Sequence, residues 1–186
     1  FPYTTLFRSP SGVIRPDNPS SFAATAVSGT QINLGWALNG ASDSILVVYN
    51  TDNTFSIPTD GSSYEVGNII GTGDSIIYKG LATGFNHTAL SSETQYYYKA
   101  WSFNASHVYS TGVTANATTW DVTAPLFIGG FPAAANVGGT SFDLQVQLNE
   151  PCTAYYLVLA VGTPAPLVAD VLAGQSISVP AGNTTY

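Results

Sequence analysis

Two histidines, His87 and His107, are the only side chains here that titrate near neutrality without help. A catalytic histidine sits within hydrogen-bond reach of a nucleophile and is oriented by a carboxylate. No Gly-x-Ser-x-Gly elbow precedes either one. His87 lies in Phe85-Asn86-His87-Thr88 and reads as a strand-end residue bonded to backbone. His107 lies in the Asn104–Tyr109 loop and reads as solvated. Paired carboxylates could hydrolyse a glycoside if held ~5–9 Å apart in a cleft. The candidates Asp43, Asp52, Asp60, Glu65 and Asp74 fall mostly between apolar runs and read as solvated surface. Asn50-Thr51-Asp52-Asn53 offers hard oxygen donors, so Asp52, and separately Asp121, are the calcium candidates. The evenly spaced acidic pattern of a calcium loop is missing at both. Cys152 stands alone, which excludes an internal disulfide and a zinc cluster. No cation adjoins it in sequence to activate the thiol, and it reads as a small buried hydrophobe.

Aromatic side chains are the other source of chemistry. Trp101, Phe103, Tyr109 and Trp120 gather in one stretch; Tyr49, Phe55, Tyr64 and Tyr78 flank another. Flat rings stack on pyranose faces, and Trp101, Tyr109 and Trp120 are the candidates for that role. Ordinary packing is the competing reading, since aromatic residues dominate cores and interfaces. Asn86, Asn104, Asn116 and Asn183 each open an Asn-x-Ser/Thr sequon. In a chain this rich in Asn, Ser and Thr, such sequons arise by chance.

Composition limits the elements that can position these groups. The 186 residues carry 4 Lys plus Arg against 11 Asp plus Glu, a net charge of −7. That excludes a nucleic-acid surface, which needs cations to neutralise phosphates. It also argues against an anionic membrane surface. No apolar run reaches the ~18 residues of a membrane helix. Hydrophobic residues make up 45%, enough for a packed core and too many for disorder.

Apolar and polar residues alternate in short runs between Gly, Asn, Asp, Ser and Pro, the pattern of half-buried strands. The runs are 22–27, 31–36, 44–49, 75–79, 85–88, 94–101 and 113–118. Seven strands in about a hundred residues is an immunoglobulin-like sandwich. In the sixth run Tyr96, Tyr98 and Ala100 share one face; Tyr97, Lys99 and Trp101 share the other, which Lys and loop atoms are expected to cover in part. A boundary falls at 120–125, where Pro125 cannot donate to a ladder. Beyond it, 126–128, 141–148 and 153–159 read as strands, with Phe142, Leu144, Val146 and Leu148 on one face. Pro166 to Ala173 reads as a short helix stopped by Gly174. Three strands and a helical turn fall short of a sandwich, so this second part is expected to be truncated.

Phe1 to Ser9 can be back-translated, codon for codon, into the end of a widely used short-read sequencing adapter. The segment therefore resembles a translated adapter, read through into an open frame of an environmental contig, and is set aside from the fold. With no Met in the chain, the sequence is expected to be a piece of a longer protein.

Trp36 on the second strand, Leu90-Ser91-Ser92-Glu93-Thr94-Gln95-Tyr96 ahead of the sixth, and Tyr109-Ser110 before the closing strand resemble a fibronectin type III domain over residues 17–119. The resemblance implies structural roles for Trp36, Leu90, Thr94 and Tyr96. Tyr96 would be the tyrosine corner, its hydroxyl bonded back to the preceding loop. The long segment Asn50 to Gly73 departs from the short loop of compact members. Residues 126–186 resemble a second, incomplete immunoglobulin-like or type III-like repeat. The expected organisation is an adapter at 1–9, a linker at 10–16, a type III domain at 17–119, a linker at 120–125 and a truncated domain at 126–186. The resemblance implies a non-catalytic, all-β module pair of a secreted or cell-surface bacterial protein. Its expected partners are neighbouring modules of the same polypeptide, a polysaccharide or a cell-surface protein. No cofactor, nucleic acid or membrane insertion is expected. A carbohydrate-binding accessory unit of a secreted hydrolase, and a fragment of an adhesin or surface filament, are the alternative readings.

Overall fold

The computed structural model describes residues 12–179 and the backbone of 182–185. The adapter-like segment 1–9 lies outside the described residues. The chain divides after Val122 into two compact units.

The first unit is a β-sandwich. Strands β1 (Ser20–Ala26), β2 (Ile32–Ala37) and β6 (Gly84–His87) form a three-stranded sheet in the order β1-β2-β6. Strands β3 (Ser44–Asn50), β4 (Ile69–Ile70), β5 (Asp74–Gly80), β7 (Gln95–Phe103) and β8 (Val113–Thr118) form the other, in the order β4-β5-β3-β7-β8. All pairings are antiparallel. This is the fibronectin type III-like fold that the resemblance implies. Strands β1 to β3 and β5 to β8 fall where the alternation of side chains predicts them; β4, two residues long, carries too little pattern to be read.

Period-two alternation decides which side chains enter the core. Ile32, Leu34 and Trp36 from β2 meet Ile45 and Val47 from β3 and Tyr96, Tyr98 and Ala100 from β7 between the sheets. The opposite face of the larger sheet is not left to water. Leu46 and Val48 of β3, Ile76 of β5, and Trp101 and Phe103 of β7 form a second cluster, closed by Ile70, Tyr109, Phe55 and Tyr64. Six of those outer residues are strand positions; Phe55, Tyr64 and Ile70, the last of them in β4, come from the long segment after β3, which lies across the sheet. Strand β3 is therefore buried on both faces, as a central strand between two apolar layers must be.

Two carboxylates fasten that segment. Asp60 accepts from both guanidinium nitrogens of Arg15, at 3.1 and 2.6 Å, and from the backbone N–H of Tyr109 at 3.0 Å. Arg15 also donates to the Tyr109 carbonyl at 2.6 Å, and the Tyr109 hydroxyl donates to the Ser62 carbonyl at 2.8 Å. Arg15, expected in a linker, is thus tied into the domain. The unit also runs past Thr119. The Trp120 N–H donates to the Ser28 carbonyl at 3.2 Å, and the Trp120 carbonyl accepts from the Glu93 N–H at 3.4 Å.

The second unit has more strands than the alternation suggests. Strands β9 (Ala133–Ala135), β10 (Asp143–Leu148) and β13 (Gly182–Thr185) pair in the order β13-β10-β9, and β11 (Cys152–Tyr156) pairs with β12 (Gln175–Val179). Residues 126–128, expected as a strand, contribute only an isolated bridge from Phe127 to Leu148. Val146, Leu148 and Val179 form the buried cluster of this unit. Phe142, expected on the same buried face, stays 41% exposed and lies just before β10 rather than in it. The helix α1 (Val168–Leu172) has no buried residue. Its start is fixed by the Asp170 carboxylate, which accepts from the Leu167 N–H at 2.9 Å.

Candidate functional site

The family-implied structural residues occupy the base of the first sandwich. Trp36 lies between the sheets, with the rings of Tyr78 and Phe22 at 5.2 and 6.1 Å. The Leu90 N–H donates to the Thr30 carbonyl at 3.1 Å. The Thr94 hydroxyl donates to the Ser92 carbonyl at 2.8 Å, and its N–H donates to the Thr119 hydroxyl at 3.0 Å. The Tyr96 hydroxyl accepts the Ser91 N–H at 3.0 Å. That bond stitches the turn before β7 to the strand itself.

Of the three rings considered for sugar stacking, two have no free face. Trp101 and Tyr109 are 0% and 1% exposed. The Lys99 ammonium sits 5.3 Å from the Trp101 ring. Both rings are consumed by the outer cluster, because the long segment covers the side of the sheet they point from. Trp120 alone of the three is open, at 56%.

The histidines are packing residues. His87 is buried, and its Nδ1 lies 3.1 Å from the Tyr98 hydroxyl rather than against backbone. Rings of Tyr49, Tyr98, Tyr96 and Phe85 surround it at 4.4 to 6.4 Å. Burial holds its pKa below the ordinary histidine value and pushes that of Tyr98 upward. His107 is stacked on Phe103 at 5.9 Å, nearly parallel, instead of standing in solvent. The Tyr109 phenol is pushed up to about 12, by burial first and then by the neighbouring Tyr64, Asp60 and Glu65 charges.

A cavity of about 470 Å³ opens where β3 ends. Its walls are Tyr49 to Asp52 and Thr54, then Thr72 to Ser75 leading into β5, and Tyr96 at the start of β7. Sequence reasoning treats Asp74 as surface, yet it is 2% exposed. Its two oxygens accept from the Asn50 side chain at 2.7 Å and from the Ser56 N–H at 2.6 Å. The Asn50 side chain also donates to the Thr54 carbonyl at 2.6 Å and accepts from the Asn53 N–H at 3.0 Å. Asp52 Oδ1 accepts from both the N–H and the hydroxyl of Thr54, at 2.9 and 2.7 Å. Those bonds, the hydroxyl's first, hold its carboxyl below the usual range. The only sequence signal for Asp74 is its place directly before the alternating run of β5. Among the described residues, no three His, Cys, Asp or Glu gather in a way that could hold a metal ion. Asp52 lies in the cavity wall, away from Asp121, which belongs to the segment after β8.

No family model and no curated protein matches the chain. Solved structures do. A crystal structure named FN3tt is 19% identical over 58% of this chain and 98% of its own, with a TM-score of 0.44. An Fn3-like protein from Clostridium thermocellum is 19% identical over 59% of this chain and 98% of its own, TM-score 0.42. A β-1,2-glucanase from Parabacteroides distasonis is 14% identical over 57% of this chain and 13% of its own, TM-score 0.40.

Proposed function

We propose that the chain is a pair of non-catalytic β-modules from a larger secreted or cell-surface protein, acting as a spacer and interaction unit. The observation that supports it most is how the first unit uses its reactive side chains. His87 is closed into an aromatic box, His107 is stacked on a ring, and Asp60 and Asp74 fasten the long segment. Acyl transfer of the triad type needs a nucleophile, a base and an orienting carboxylate, glycoside hydrolysis needs two available carboxyl groups, and these histidines and carboxylates are committed elsewhere. The exported location rests on the family resemblance. So does the reading of the second unit as an incomplete repeat, which its exposed Phe142 and a helix with no buried residue favour.

The test is turnover of chromogenic ester, phosphate and glycoside substrates by the full chain. Rates equal to buffer are expected. Turnover that His87→Ala abolishes would overturn the proposal. A carbohydrate-binding role is the second reading, favoured by the polar cavity at the end of β3.

A further inference from the structure

The cavity at the end of β3 is built to hydrogen-bond a ligand that both donates and accepts. Its frame is preformed. Asn50, Asp74 and Ser56 lock the chain on either side, and Asp52 Oδ1 is fully engaged by Thr54. Five side-chain oxygens of the lining residues have no partner among the described residues: Tyr49 Oη, Thr51 Oγ1, Asp52 Oδ2, Thr72 Oγ1 and Ser75 Oγ. Four are hydroxyls, which donate and accept; the fifth accepts only.

Charge and shape narrow the ligand. No Lys, Arg or His lines the cavity, so an anion would meet the Asp52 and Asp74 carboxylates with no cation to offset them. An apolar ligand would strip water from five oxygens and return nothing. A divalent cation wants six to eight oxygens in close array. Here each Asp74 oxygen already accepts an N–H, from Asn50 and from Ser56, so this carboxylate is engaged by the frame rather than free for a cation. A neutral polyhydroxylated ligand answers every group, since each of its hydroxyls can give one bond and take another. The volume, about 470 Å³, is in the range of small-ligand sites.

We infer that this cavity is a saccharide subsite, taking one or two neutral sugar residues through the free oxygens of Thr51, Asp52, Thr72 and Ser75. It rests on the reading of the chain as an interaction module and names the site that the buried Trp101 and Tyr109 cannot supply.

The experiment is a titration of the full ¹⁵N-labelled chain followed by amide chemical shifts. The probes are glucose, galactose, mannose, xylose, N-acetylglucosamine, maltose and cellobiose, with calcium chloride alone and inorganic phosphate as comparisons. Thr72→Val and Ser75→Ala are the variants, because neither hydroxyl bonds within the protein and their loss spares the fold. At least one saccharide is expected to shift amides of 50–54 and 72–75 saturably. Each variant should weaken its Kd about fivefold, the loss of one hydrogen bond. The inference is overturned if no saccharide moves those amides. It is also overturned if calcium alone does so while sugars do not, or if sugar affinity in both variants equals that of the parent chain. None of these results bears on the absence of turnover, so the module proposal stands or falls separately.

Discussion

Asp60→Ala is the substitution that tests whether the long segment is part of the folded domain. Three bonds end on this carboxylate. The Arg15 and Asp60 side chains are 31% and 30% exposed, so water screens the pair and its worth is about 1 kcal/mol at most. The Tyr109 N–H is a different matter. Tyr109 is 1% exposed, and a buried donor left without an acceptor costs about 1–3 kcal/mol. The sum is about 1–4 kcal/mol. Arg15→Ala should cost about 1 kcal/mol, because Tyr109 N–H keeps its acceptor. The double variant should fall short of the sum of the singles by about 1 kcal/mol, since the two side chains share one network. Urea denaturation followed by tryptophan emission reads this selectively, because Trp36, Trp101 and Trp120 all lie in the first unit. The midpoint should fall with the slope unchanged. A loss under about 0.5 kcal/mol for Asp60→Ala, or strict additivity, would refute the view that Asp60 clamps the segment.

Tyr96→Phe removes the bond from the Ser91 N–H, but Ser91 is exposed and water can take its place. The expected loss is therefore about 0.5–1.5 kcal/mol, read in the same urea experiment; a loss above this range would show the hydroxyl holds more than the turn. Gly112→Ala should destabilise by about 2 kcal/mol or more, because φ is +82° and the new Cβ would stand 2.6 Å from Trp101 Nε1. A variant as stable as the parent would mean the Trp101 layer is loose. His87 makes the first unit pH-sensitive. Its folded pKa lies below the unfolded value of 6.5, so above that pH it is neutral in both states and contributes no slope. Below it the unfolded chain takes up a proton that the folded site refuses, and stability falls until the folded pKa is passed. Stability measured between about pH 5 and 7 should decline on the acid side, and His87→Phe should flatten that decline; an equal slope in the variant would count against it.

The alternation of apolar and polar residues determined the first sandwich, because strand identity and facing are local properties repeated every two residues. Leu90, Thr94 and Tyr96 were singled out by the family resemblance rather than by alternation; the Tyr96 bond to Ser91 is local, whereas Leu90 reaches Thr30 and Thr94 reaches Thr119. In the second unit β12 carried a readable signal in Ile177 and Val179, whereas Ala133-Ala134-Ala135 and 182–185 had too little apolar pattern to mark a strand. What covers a strand's outer face is not local. Trp101 and Lys99 share the outer side of β7 in any reading, yet only the fold brings Phe55, Tyr64 and Ile70 over them and removes Trp101 and Tyr109 from solvent. Arg15 reaches Tyr109 across 94 residues and Asp60 across 45. Asp74 is buried because Asn50 and Ser56, 24 and 18 positions away, close over it. Spacing in sequence has no bearing on such contacts, since a carboxylate in a loop looks the same whether solvent or a backbone N–H completes it.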